Sequence, residues 1–243
     1  VDAHAGLIAQ LSDDVEALAP ILDVGGVESR LVELVLEVHP DAGGQSGRTQ
    51  VIILGSGTPI PDPERAGPAV AVVVDSVAYL FDAGTGIVRR ASAAARNGVT
   101  ALQPPRLGVL FLTHLHSDHT MGLNDVLFTP WIQGRKTRLE LYGPRGTRHL
   151  LNSIVNGNRE DIAERLASAG GPAADAYRAN VHEISEGTVF TDARVSIRAF
   201  AVPHSAWRYA FGYRIQTPDK VIVISGDARA NPAIARECNG CDI

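Results

Sequence analysis

The sequence predicts an α/β (α+β) protein in which two β-sheets pack face to face and helices cover them, behind an N-terminal helical extension. Three observations lead there. Short apolar runs ending in polar or turn residues fall in two batches, with helical patterns between and after them. The polar, Gly-rich stretch Asp41 to Gly47 reads as a linker, dividing an acidic extension over 1–48 from a domain over 49–243. With 243 residues, 45% of them hydrophobic, the chain can bury a large core.

The elements follow in order. Leu7, Ile8, Leu11, Val15 and Leu18 share one face of a helix over residues 5–19, and Leu31 to Val38 suits helix or strand equally. Val51 to Leu54, Ala69 to Asp75 and Val77 to Phe81 read as strands, Gly86 to Arg96 as an Ala-rich helix, and Leu107 to Thr113 as a buried strand. Thr137 to Tyr142 is another strand, and Arg145 to Ser168 is helical with a break around Asn156-Gly157-Asn158. A second β-rich group comprises Val181 to Ile184, Arg194 to Val202, Tyr209 to Thr217 and Val221 to Ser225, and Pro232 to Cys238 begins a helix.

Charge is uneven. Residues 1–50 carry nine Asp/Glu against Arg30 and Arg48, for −7, so the remainder stands at +2 within the total of −5. A nearly neutral domain accepts an anionic substrate but is not a dedicated nucleic-acid surface. Arg135, Lys136, Arg138, Arg145 and Arg148 form a basic stretch, read as a solvated loop and helix face. No apolar run is long enough to span a bilayer, so no membrane partner is expected. The chain starts at Val1, which leaves the compartment open: soluble, either cytoplasmic or exported with a signal peptide removed. Cys238 and Cys241 read as small apolar residues.

Chemistry concentrates in Thr113-His114-Leu115-His116-Ser117-Asp118-His119, which holds three of the chain's 8 histidines directly after an apolar strand. Neutral imidazole and carboxylate are the ligands zinc takes when a position must stay open for water. His114 and His116, two apart in an extended segment, leave the same side, while Asp118 and His119 can turn to a second ion. Two later strand ends add His204 and Asp227; Gly226 allows close approach of the backbone, and Asp227 is placed to bridge two ions.

His114-x-His116-x-Asp118-His119, then His204, then Ser225-Gly226-Asp227, resembles the metallo-β-lactamase superfamily, nearest its branch of tRNase Z, phosphodiesterase and arylsulfatase-like enzymes. Leu54-Gly55-Ser56-Gly57-Thr58-Pro59, Leu80-Phe81-Asp82-Ala83-Gly84, Tyr142-Gly143-Pro144 and Phe211-Gly212-Tyr213-Arg214 support the likeness over residues 49 to 243. It implies an αββα sandwich with metals at one rim. One Zn2+ would lie on His114, His116 and His204, a second on Asp118 and His119 with Asp227 bridging, and Asp82 would orient a ligand histidine from behind. It further implies a hydrolase that attacks with a metal-activated hydroxide, with Asp118 orienting it or taking its proton.

The chain departs from that family at its end. The family's His-Glu motif and last ligand histidine are missing after Cys241-Asp242-Ile243, so one metal site is complete in this sequence and the second is a ligand short. A truncated C-terminus is the favoured account, with completion by another chain or a protein with one firmly bound metal as the others; the rival function is a metal-binding protein without catalysis. Ala228 stands where a hydroxyl residue is usual.

Ser205, Trp207 and Arg208, just after His204, are the expected substrate contacts, the indole for stacking and the guanidinium for an anion. The expected substrate is a small phosphodiester or sulfate ester, with a β-lactam as alternative. Dedicated nucleic-acid binding is set aside because no long basic, Gly-rich arm is seen. Gly55-x-Gly57 does not signal a dinucleotide, since Pro59 follows and Ile60 stands at the third glycine position. The N-terminal helix would pack on the domain or form a homodimer.

Overall fold

The computed structural model describes Val35–Leu36 and residues 49–243. The helix expected over residues 5–19 and the linker over 41–47 lie outside the described residues. Of the ambiguous segment from Leu31 to Val38, Val35–Leu36 is a short strand, β1.

Two sheets form the framework. The first has the order β1, β2 (Thr49–Gly55), β3 (Ala69–Val74), β4 (Val77–Phe81), β5 (Val109–Phe111), β6 (Leu139–Gly143), β7 (Ala179–Glu183), antiparallel as far as β4 and parallel from β4 to β7. The second is antiparallel, with β8 (Gly187–Thr191), β9 (Ser196–Ala201), β10 (Phe211–Gln216) and β11 (Val221–Ile224) in sequential order.

Alternation explains the continuous apolar runs, because both faces of β3, β4 and β5 are buried. Val72, Val74, Tyr79, Phe81 and Phe111 point between the sheets and meet Ile197, Ala199, Phe211, Tyr213 and Ile215. Ala71, Val73, Leu80 and Leu110 point the other way, against α1 (Ile87–Arg96), α3 (Leu123–Ile132), α4 (Thr147–Gly157) and α5 (Arg159–Ala167). Beyond the second sheet, Phe200, Val202 and Ala210 pack with Val223, Ala228 and the helix α6 (Pro232–Glu237). The layers run helix, sheet, sheet, helix. Among the described residues no helix is long and apolar enough to cross a membrane.

Four expectations need correction. The sequence pattern groups Val181 to Ile184 with the second sheet, but β7 is the edge of the first, paired in parallel with β6; an apolar pattern specifies a face and not a partner. The strand β8 and the helices α2 (Ser117–Thr120) and α3 were not anticipated. Cys238 and Cys241 are joined as a disulfide, with Cα atoms 4.8 Å apart. Arg135 is no part of a solvated basic face, being only 2% exposed.

The reason for burying Arg135 is local. Pro130 lies inside α3 and has no N–H for the carbonyl of Val126. The Arg135 guanidinium supplies the missing donor, 2.9 Å from the Val126 carbonyl, and also donates to the carbonyls of Leu107, Leu127 and Ala176. Burial lowers its pKa to about 10. Lys136, Arg138, Arg145 and Arg148 are exposed, as a solvated face requires, with Arg138 paired to Asp175 and Arg148 donating to the Val181 carbonyl.

Candidate metal centre

The site collects at the carboxyl ends of strands from both sheets. Because β4 and β5 are parallel neighbours, the residue after one lies beside the residues after the other, and Asp82 meets Thr113. His204 follows β9 and Asp227 follows β11; these flank β10 in one direction and end on the same side. Two bonds hold the sheets in register there: Phe211 N–H donates to the Thr113 carbonyl at 2.9 Å, and Tyr213 Oη–H to the Leu112 carbonyl at 2.7 Å.

Three imidazoles converge. His116 Nδ1 is 3.0 Å from His114 Nε2 and 3.0 Å from His204 Nε2. Nitrogens about 2.05 Å from a tetrahedral zinc would stand about 3.3 Å apart, so this spacing suits one ion. A second group of donor atoms, from His114, His119 and Asp227, lies within 4.8 Å of one another. Asp118 faces the same group, its Oδ2 3.6 Å from His119 Nε2, and Asp227 Oδ1 stands 3.4 Å from that nitrogen.

Behind the donors lies a relay that fixes their orientation. Asp82 accepts from the Thr113 N–H at 2.8 Å and from the Thr113 hydroxyl, and its Oδ2 is 2.8 Å from His119 Nδ1. The Thr113 hydroxyl is also 3.0 Å from His114 Nδ1. With both Nδ1 atoms carrying the hydrogen toward this relay, both Nε2 atoms are left free to face the centre. Thr113 was not singled out from sequence; a hydroxyl at the strand end, beside the first histidine, is the signal for it.

Electrostatics agree with a cation site. Burial, reinforced by the neighbouring His119, lowers His114 to about 3, and burial also lowers His204, so both imidazoles are neutral donors. The His119 contact holds Asp227 down at about 2. Burial alone would lower His119, but the carboxylates of Asp227 and Asp82 outweigh it and raise the ring to about 10, so without a metal Nε2 carries a proton that a bound cation would displace. His119 Nε2 is buried without a hydrogen-bond partner, between Asp118 and Asp227. A buried nitrogen set between two carboxylates is satisfied either by a proton or by a divalent cation, and the surrounding imidazole and carboxylate donors fit the cation.

Gly226 lies at a close approach between strand ends. Its φ is +59°, and a Cβ there would lie 2.9 Å from the Thr113 Cβ, so it lets two strand ends pack closely. Of the expected substrate contacts, Ser205 and Arg208 are exposed, with the Arg208 guanidinium 5.3 Å over the Tyr209 ring. Trp207 stands against the cluster, its ring centre 4.6 Å from that of His116.

Residues 78–243 match the model of the beta-lactamase superfamily domain. Among similar curated proteins, a ribonuclease Z of Mycolicibacterium paratuberculosis is 38% identical over 73% of this chain and 62% of its own length. A ribonuclease Z of Mycobacterium bovis BCG is 33% identical over 79% of this chain and 68% of its own length. The chain thus spans about three fifths of the first of these relatives. The crystal structure of human tRNase Z, short form, superposes with a TM-score of 0.60 at 23% identity, covering 79% of this chain and 74% of that one. The metallo-beta-lactamase fold protein YhfI from Bacillus subtilis gives 0.54 at 14% identity, over 76% of this chain and 64% of its own. At these identities the likeness is one of fold.

Proposed function

The chain belongs to the metallo-beta-lactamase superfamily, in the branch that contains ribonuclease Z, and on that premise we propose that it is a zinc-dependent hydrolase of phosphodiesters, RNA among them. The observation that carries this reading is the buried, unpartnered His119 Nε2 between Asp118 and Asp227, beside three converging imidazoles. A site rich in neutral imidazole with carboxylates favours zinc among the divalent ions.

His114, His116 and His204 would hold one ion. His119 and Asp227, with Asp118 alongside, would hold the second. Zinc bound there would polarise a phosphoryl oxygen and make a bound water acidic enough to attack near neutral pH. Asp118, with its side chain 10% exposed at the edge of the cluster, would orient that water and accept its proton. Asp82 and Thr113 would keep the imidazoles of His114 and His119 turned toward the ions. Ser205 and the Arg208 guanidinium, in the exposed turn after His204, would contact the anionic oxygens of the substrate.

The relatives named ribonuclease Z favour RNA, against the sequence-based expectation of a small ester. A small phosphodiester is the second reading. It is favoured by the nearly neutral charge of residues 51–243, which stands at +2. Hydrolysis of a short RNA, bis(p-nitrophenyl) phosphate and nitrocefin, before and after chelation and zinc reloading, tests both. Zinc-dependent cleavage of either phosphodiester is expected. Full activity in protein verified to be metal-free, or activity on nitrocefin alone, would overturn the proposal.

A further inference from the structure

We infer that Trp207 is a stacking platform for a nucleobase flanking the cleaved phosphodiester, an assignment that rests on the phosphodiesterase reading and gives it a base-bearing substrate. The chain has two tryptophans, and their surroundings are opposite. Trp131 is fully buried, packs against Phe128 and Tyr177, and donates its indole N–H to the Ala173 carbonyl. Trp207 is 37% exposed although it is the largest kind of apolar side chain. A core role would have covered it.

Its position is set by the element that presents His204. The Trp207 N–H donates to the His204 carbonyl at 2.9 Å, closing a turn in which Ser205 has φ 49°. His204 and Trp207 form an antiparallel bridge, so the backbone that presents the indole is tied to the backbone that presents the imidazole. The ring centre lies 4.6 Å from His116 at an interplanar angle of 64°, and 6.3 Å from His114 at 79°. An accessible indole is thereby held in edge contact with His116, beside the donors that would face the reacting phosphate.

Stacking on an aromatic side chain suits any base, because each has a π-face, and it separates a nucleotide from the same phosphate without a base. The expected discrimination is about ten- to a hundredfold in affinity. Arg208, the next residue, adds positive charge beside the platform where a phosphate would run.

The test is a titration of the zinc-loaded full chain with AMP and with ribose 5-phosphate, followed by tryptophan emission and by calorimetry. AMP is expected to bind about ten- to a hundredfold more tightly and to quench emission. The quench should persist in Trp131→Phe and vanish in Trp207→Leu. Trp207→Leu should bind AMP no better than ribose 5-phosphate, whereas Trp207→Phe, which keeps an aromatic face, should retain most of the preference. Equal affinities in the unaltered protein, or an undiminished preference in Trp207→Leu, would overturn the inference. Hydrolysis of bis(p-nitrophenyl) phosphate by the same preparation separates the two readings. If it is absent while the Trp207-dependent preference remains, the stacking site stands and the hydrolase reading falls. If it is present with equal affinities, only the stacking site falls.

Discussion

Asp82 and His119 share a 2.8 Å contact between Oδ2 and Nδ1, and the opposite nitrogen of that imidazole is buried without a hydrogen-bond partner. One carboxylate thus fixes a ring whose free edge looks into the candidate metal centre. The same carboxylate accepts from the Thr113 N–H and hydroxyl, and Thr113 in turn contacts His114 Nδ1. Asp82 holds this position with a backbone φ of 60°, a conformation that costs a non-glycine residue about 1 kcal/mol and persists because its surroundings enforce it.

Removing that carboxylate should loosen both imidazoles at once. Asp82→Ala is expected to lower zinc affinity about 10- to 100-fold, the usual cost of losing a group that orients ligand histidines. It should also cost about 3 kcal/mol of stability, since a buried backbone N–H and a hydroxyl lose their acceptor. Asp82→Asn keeps an acceptor for the Thr113 N–H and should fall between. Competition against a chromogenic chelator and urea unfolding measure the two quantities; unchanged affinity in Asp82→Ala would remove Asp82 from the site.

The parts legible in the sequence are those that local pattern encodes. His114 and His116 leave an extended segment on one side, and His204 and Asp227 end apolar runs, so their residue types could be read before their meeting could be seen. Thr113 escaped because its contact with Asp82 exists only once β4 and β5 lie side by side in parallel. Arg135 escaped for a related reason. A basic residue in a run of basic residues looks solvated, and only the helix geometry reveals that Pro130 leaves the Val126 carbonyl in need of a donor. The edge position of β7 was illegible because strand patterns carry no address for their partner.

Arg135 therefore predicts a conditional loss of stability. Arg135→Ala should destabilise by about 3 kcal/mol, because four buried carbonyls lose a charged donor. Pro130→Ala restores an N–H for the Val126 carbonyl, so Arg135→Ala should cost less in that background. A double-mutant cycle by urea unfolding reads the coupling; additive effects would show that Arg135 does not compensate for Pro130.

Asp192 predicts part of the acid limb of stability. Burial would raise its carboxyl, but the Tyr79 hydroxyl and the N–H groups of Arg194 and Val195 outweigh this and hold it below the usual carboxylate range. For a carboxyl depressed in the folded state, the stabilisation is complete above the unfolded value, about 3.9, and disappears as pH falls through the folded value. Asp192→Asn should thus lower Tm near neutral pH while flattening its decline below about pH 4. Parallel curves for the two proteins from pH 7 to pH 2 would contradict this assignment.

The closing of the site from the second sheet depends on Gly226, and glycine serves there for two reasons that can be separated. Its φ of +59° strains any side chain, and a Cβ would come 2.9 Å from the Thr113 Cβ and 3.0 Å from its Cγ2. Gly170, at φ +75° with nothing within 4 Å of a Cβ, carries the first cost without the second. Gly170→Ala should therefore lose about 1–2 kcal/mol from backbone strain alone. Gly226→Ala should lose more, and it should also weaken zinc binding, because pressure against Thr113 moves the loop that carries Asp227. Metal content after dialysis and urea unfolding of both variants provide the comparison. Equal losses of stability with full zinc retention in Gly226→Ala would show that the Gly226–Thr113 contact does not position Asp227.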